Sequence, residues 1–560
     1  MPVSQVKRHS ISSPFKLGIV LSAMSLLLTG AGCQKEILSL PKTNEKTPKM
    51  ITSVAAPYGL EPMDIMGYGV VVGLSGTGGN VPQGPARSAA LAMLNQQKME
   101  KPTEFLASRD AAVVIVSGKV AAGARPGDTC DVEIRCLDED KQTSTLRGGF
   151  LLLSSLKDVA DVSQLSEKGA DGGSNYRSGF EWAIANGPIM IEVGQEAQAR
   201  KGRIVGGARL KKERQLALVM RGDSERKAEQ AMRVGTAIDE RFRVQTSGNF
   251  AKIANPKDDK TVLLRVPDQY KTNVPRFLEV LSRIPYEAGN TERLYWQRKC
   301  GEDLLDPDKC FEAAVRLEAM GGEVKDELAK GCKHEHIKVR FAAAESLAYL
   351  GGGGPTIDTL GEVVLHSPEL RPYALTALSV VADPGAATKL RELMTQESME
   401  TKYGAFVALR TGYPTDMGIR SLAAREAGCM IYDVAPASSA VVHIATSGKP
   451  EIVLFGKGHV LMSPFSITVG PELVISARDG ENECTISAMD ANGKTVKRRC
   501  STALGDVLAR CSESGASYAD LVDMLRQASN GHNLNSKLVV DAMPRIVPWS
   551  QLARAEIPVH

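Results

Sequence analysis

The chain has 560 residues, with 68 Lys+Arg against 65 Asp+Glu, 43% hydrophobic and 24% charged. Those are globular values for about three or four domains, and a mean hydropathy of −0.14 excludes a polytopic membrane protein. The formal charge of +3 comes from residues 1–32, where Lys7, Arg8 and Lys16 stand without an acid, so the remainder is balanced and lacks the overall basic field of a nucleic-acid binder.

Lys7, Arg8 and Lys16 precede an apolar run at 17–28, followed by Thr29-Gly-Ala-Gly32 and Cys33. A basic start, a short apolar stretch and a small-residue end predict a secretory signal over 1–33. The run is shorter than the ~20 residues that a spanning helix needs. Small residues ahead of a cysteine resemble a bacterial lipobox, with Gly30 where Leu is typical. Acylation of Cys33 and a membrane anchor are the expectation; ordinary cleavage near Ala31 is the alternative. Residues 34–50 read as a flexible tether.

Residues 51–290 read as mixed α/β. Short apolar or alternating runs at 69–74, 112–117, 130–136, 150–154, 189–193, 215–220 and 261–266 predict strands. Helical periodicity appears at 85–98, 224–242 and 273–284. From 291 to 430 the chain turns Ala/Leu-rich and repeats itself. Ala343, Ala374 and Ala405 coincide at a spacing of 31, as do Leu347, Leu378 and Leu409. Such a period predicts an α-solenoid and resembles short HEAT repeats, whose usual task is to present a docking surface for a protein partner. From 431 to 560 β-rich material returns, with strands at 440–445, 451–455, 465–469, 473–477 and 537–541 and helices at 502–513 and 517–529. Cys484–Asp490 and Lys494–Cys500 read as a hairpin around Ala491-Asn-Gly493. In that register Cys484 faces Cys500, which predicts a disulfide. Cys130 and Cys136 lie too far apart on one strand to bond each other.

The Gly67–Gly79 stretch, GYGVVVGLSGTGG, is the most distinctive segment. A phosphate-binding loop needs Lys and then Ser/Thr after its last glycine; here Asn80 follows. A dinucleotide fingerprint fails by one residue of spacing, at Gly67, Gly69 and Gly73. The remaining reading is a strand that ends in a turn needing positive φ. His334-Glu-His336 reads as a solvated helix end and Asp138-Glu-Asp140 as a polar hairpin tip. The scattered histidines make no triad with Ser75 or Ser88. No cofactor, metal site or catalytic residue is expected.

Residues 67–78 resemble, almost letter for letter, a segment of the bacterial flagellar P-ring protein family. Further stretches follow in the family's order: Ala124-Arg-Pro-Gly-Asp128, Leu146-Arg-Gly-Gly-Phe-Leu-Leu-Leu153, Arg203-Ile-Val-Gly-Gly-Ala208, Thr261–Pro267 and Phe277–Leu281. Weaker likenesses occur at Val460–Pro464, Asp520–Leu525 and Lys537–Val540. The resemblance implies α+β ring-forming domains, here interrupted by an inserted all-α HEAT-like solenoid. It implies a structural, non-enzymatic subunit in the periplasm. Such subunits polymerise around the flagellar rod at the peptidoglycan, beside the L-ring, as a bushing for rotation. Subunit or rod contacts are then expected at Gly67, Tyr68, Gly69, Gly73, Gly76 and Gly78, and at Arg147, Gly148 and Gly149; an internal fold role is the alternative. The solenoid and a lipid at Cys33 depart from the family pattern. They leave a second reading, a non-flagellar envelope scaffold that docks a partner through its repeats.

Overall fold

The computed structural model describes residues 48–547 except 81–82, 159–179, 192–198, 223–225, 247–248, 425–427, 435–438 and 490–493. Cys33, the 1–33 segment and the turn of the cysteine hairpin lie outside the described residues. Six antiparallel strands close a barrel, in the order Met63–Val72, Ala111–Val120, Thr129–Cys136, Lys201–Leu210, Glu181–Pro188 and Phe150–Asp158. Alternation sends Val114, Val116, Val132, Ile134, Leu151 and Leu156 into its interior. Helix Pro85–Gln96 covers part of the outside, over Val70 and Val113.

Two strand expectations need correction. The strand at 69–74 starts earlier, at Met63, and ends at Val72. The strand expected at 189–193 is instead Glu181–Pro188, and Met190 contributes only a bridge to Arg203. Ala183 and Ala185 are fully buried in the barrel. Small inward residues among Glu181, Trp182 and Asn186 do not make the apolar run that a sequence reading looks for.

Beside the barrel, a four-stranded sheet runs Ala254–Pro256, Thr261–Leu264, Leu216–Met220 and Ala55–Tyr58. Helices Lys227–Arg241 and Val274–Ser282 share its core, with Val234, Ile238, Phe277 and Leu281 buried at helical spacing. Helices then follow from Asn290–Leu304 to Met399–Gly412. The helices that carry the 31-residue spacing, Ile337–Tyr349, Arg371–Val380 and Met399–Gly412, pack on one another in that order. Ala343, Ala374 and Ala405 are all fully buried, so small residues stand where helices approach. The helices stop at Gly412, short of residue 430, because Ile419–Ala424 and Cys429–Val434 already pair as antiparallel strands.

Those strands open a five-stranded sheet, completed by Glu451–Phe455, Val441–Ile444 and Lys537–Val540. A second, four-stranded sheet holds Phe465–Val469, Leu473–Ala477, Glu483–Met489 and Thr495–Ser501. Helices Leu504–Glu513 and Tyr518–Asn530 share a core with both sheets.

Buried polar clusters join the helical segment to its flanks. On the N-terminal side, Arg276 reaches Glu318 (2.6 Å) and Glu345 (3.1 Å), and all three side chains are at most 4% exposed. Arg276 also donates to Ser346 Oγ (2.7 Å), and Tyr270 donates its hydroxyl to Glu318 (2.7 Å). Tyr270 stacks on Tyr349 with centroids 4.7 Å apart. On the C-terminal side, buried Glu451 accepts from Tyr403 (2.8 Å) and pairs with Arg410. His443 stacks on Tyr403 at 3.6 Å and accepts the Ala542 N–H (3.0 Å). The stretch after the last strand then crosses the helices, where Tyr373 donates to the Val547 carbonyl.

One guanidinium serves two buried carboxylates in the first cluster. Burial pushes Glu345 up to about 7; Arg276 pulls it down and Glu318 raises it further. Its folded value lies above its unfolded one, so this group costs stability as pH rises from the ordinary carboxylate range through about 7. Glu345→Gln should therefore gain on the parent protein over that window, by up to about 3 kcal/mol. Urea unfolding from about pH 5 to about pH 8 checks this, and parallel curves for the two proteins would reject it. Arg276→Met should lose about 3–5 kcal/mol, because it strands both carboxylates.

Cys484 and Cys500 are direct register partners, with Sγ atoms 3.3 Å apart. We expect a disulfide there under oxidising conditions, closing a short loop worth about 3 kcal/mol. Mapping of the oxidised protein by mass spectrometry should find the Cys484–Cys500 peptide pair. Two free thiols at these positions after exposure to oxidised glutathione would refute it.

Candidate assembly surface

The glycine segment is built into the barrel wall. A Cβ on Gly67 would sit 2.3 Å from the Ser155 carbonyl oxygen, and one on Gly69 within 2.9 Å of Leu151, Ser154 and Val116. These two positions let the Met63–Val72 strand lie close against Phe150–Asp158. The turn that follows is held by backbone: Gly78 N–H donates to the Arg109 carbonyl (2.7 Å) and Gly79 N–H to that of Ala111 (3.1 Å). Asp110 accepts from the Gly76 N–H (2.9 Å).

The structure brings the two expected contact segments together. Gly73, at φ +77°, stands against the Gly148 carbonyl, and Gly149 packs on Val71 and Leu74. Within this union the residues differ in what they can offer outward. Gly67, Gly69, Gly78 and Gly149 face close internal neighbours, whereas Gly76 and Gly148 have open space beside them. Tyr68 is 37% exposed on the outer face of the barrel. Arg147 is exposed and lies 3.5 Å from Asp523 on helix Tyr518–Asn530. Burial raises the Asp523 carboxyl above its ordinary value, and Arg147 and Arg526 pull it back. Of the expected contact residues, Tyr68, Arg147, Gly76 and Gly148 are therefore the ones with outward exposure or open space beside them.

Other residues matter to this surface because they orient the parts that carry it. Arg125 leaves the barrel to bind the Val266 carbonyl (2.6 Å) and Asp268 (2.5 Å), and Asp128 pairs with Lys271 (2.9 Å). Asp131 accepts the backbone N–H groups of Gly206 (2.7 Å) and Gly448 (2.9 Å), tying the barrel to the five-stranded sheet. The Ala124–Asp128 stretch was visible as a motif, but its joining role was not. For Arg276 the signal was a lone cation beside the apolar Phe277-Leu-Glu-Val-Leu281.

Two polar sites stand differently. Asp140 is no solvated tip: it is buried, accepts from the Thr143 and Gln142 N–H groups, and its carbonyl accepts from Arg200. Asp138 remains exposed, 3.7 Å from Arg135. His336 caps helix Ile337–Tyr349, accepting the Lys338 N–H (3.2 Å), and His334 accepts the His336 N–H. Among the described residues no cluster of three His, Cys, Asp or Glu side chains has metal-binding geometry.

The family model described as flagellar P-ring protein matches residues 50–302. Flagellar P-ring protein 1 of Bradyrhizobium diazoefficiens is 28% identical over 297 residues, which is 50% of this chain and 72% of the relative. The flagellar P-ring protein of Oleidesulfovibrio alaskensis is 26% identical over 265 residues, 45% of this chain and 64% of that one. That of Geobacter sulfurreducens is 26% identical over 270 residues, 46% and 66%. The matched region takes in the barrel, the sheet beside it and most of helix Asn290–Leu304, and leaves the later helices outside. Over residues 50–302, this chain is similar to the flagellar P-ring protein family.

Proposed function

We propose that the chain is a structural subunit of the flagellar basal-body P-ring. It assembles with copies of itself around the rod, in the periplasm, as a bushing for rotation. The observation that carries this reading is the family match over 50–302, which contains the whole barrel built around the glycine segment. The role is mechanical and asks for no bond-making residue. A closed ring needs two different faces on each subunit, and the Tyr68–Arg147 surface is the one we assign to a neighbouring subunit or the rod. Near-zero charge beyond residue 32 lets many copies pack without mutual repulsion. The L-ring and the peptidoglycan are the other expected neighbours. A lipid on Cys33 would add a membrane tether.

The helices beyond the family match favour one further reading, an envelope scaffold that reuses the ring-forming region away from the flagellum. In both readings the repeats form a HEAT-like solenoid that docks a protein. Deletion of the gene separates them: loss of swimming and of intact basal bodies supports the ring subunit, and a swimming strain with complete basal bodies rejects it.

The surface itself is tested by substitution. Tyr68→Ala and Arg147→Gln should leave the unfolding free energy within about 1 kcal/mol of the parent, as exposed changes do. Together they should impair ring assembly, read as swimming and as rings in isolated basal bodies. Normal assembly in the double variant would remove these residues from the contact. Gly69→Val, by contrast, should abolish soluble protein, since its side chain has no space in the barrel wall.

A further inference from the structure

The groove between helix Lys227–Arg241 and the C-terminal end of helix Cys310–Met320 holds two adjoining cavities, of about 740 Å³ and about 320 Å³. Arg241, Arg243 and Gly322 line both, so the two run into each other. The larger adds Arg233 and Arg293, and the smaller adds Lys325. Cations outnumber carboxylates five to three across the pair. Of the three acids, Glu229 is already held by Arg233 at 2.7 Å.

Arg241 is preset to receive an acceptor. Its Nε donates to the Glu318 carbonyl (2.7 Å) and its guanidinium lies 4.7 Å from the Phe242 ring centroid, which fixes the plane. Its Nη2 is nevertheless buried without a hydrogen-bond partner. A buried donor in that state gains from an incoming anion. The Cβ-free Gly321 and Gly322 keep the floor beneath it low, and an ideal Cβ on Gly321 would come to 3.7 Å from the Arg241 side chain. Between the cations the lining is apolar: Ile284, Pro285 and Met320, with Met232 59% exposed.

We infer that this groove binds an extended acidic polypeptide segment of a protein partner. Its carboxylates would pair with Arg241, Arg243 and Arg293, and its apolar side chains would lie on Met232 and Met320. Spread cations interleaved with apolar surface fit a chain with both kinds of side chain better than a single small anion. The groove lies between the family-matched region and the helices beyond it, so this binding goes further than the ring role and does not depend on it.

The test uses the full chain and a short fluorescein-labelled peptide of glutamates interrupted by leucines, read by anisotropy at low and physiological salt. Saturable binding is expected. Arg243→Glu with Arg293→Glu, both exposed, should weaken it at least about tenfold. Arg498→Glu with Arg499→Glu, the same charge change on the distant hairpin, should leave it within about twofold. Absence of saturable binding, or equal weakening by both pairs, overturns the proposal. Displacement of the peptide by an equal charge of inorganic phosphate also overturns it, because the groove would then select a simple anion and not a polypeptide. Circular dichroism of each variant separates lost binding from lost fold.

Discussion

Arg276 is the residue on which the arrangement of the chain depends. It sits in the seam between the sheet beside the barrel and the helices that follow it, removed from water, facing Glu318 on one helix and Glu345 on another. A buried charge is costly unless paired, and this one can be satisfied only when three helices stand in one relative position. Apolar packing alone would tolerate sliding of Leu and Ala past each other. The guanidinium does not, since its donors have fixed directions. Tyr270, stacked on Tyr349 and bonded to Glu318, adds a second constraint of the same kind.

The far end of the helices repeats the device with different residues. Glu451 enters from the five-stranded sheet and meets Tyr403 and Arg410 on helix Met399–Gly412. The helical run is thus held at both ends by polar groups that lose heavily if the seam opens. It is a braced extension of the body rather than a pendant arm, and anything it presents to a partner keeps a set direction relative to the barrel. The groove lined by Arg241 and Gly322 is a by-product of that bracing, because it lies where helices Lys227–Arg241 and Cys310–Met320 meet without filling the space between.

The barrel works by the opposite economy. Its strands approach where side chains are absent, at Gly67, Gly69 and Gly149, and it joins its neighbours through exposed or half-buried charges such as Arg125 and Asp131. Backbone closeness makes the wall, and polar arms orient what surrounds it. The glycine segment is accordingly a structural element of the wall, with Tyr68 as its exposed aromatic side chain.

Much of this was legible in the residues. The 31-residue spacing identified the positions that pack the helices, Ala343, Ala374 and Ala405. Alternation located most strands, and loop length put Cys484 opposite Cys500. Such patterns are local: period, turn chemistry and spacing act within a few residues or between adjacent strands. What only the tertiary structure decided is non-local. Closure of the barrel depends on Met63–Val72 finding Phe150–Asp158, and the Glu181–Pro188 strand is recognisable only by the interior its alanines fill. Whether Arg276 or Asp140 is buried depends on partners brought from elsewhere in the chain. A charge in a sequence carries its chemistry with it, but its environment, and therefore its role, is made by the fold.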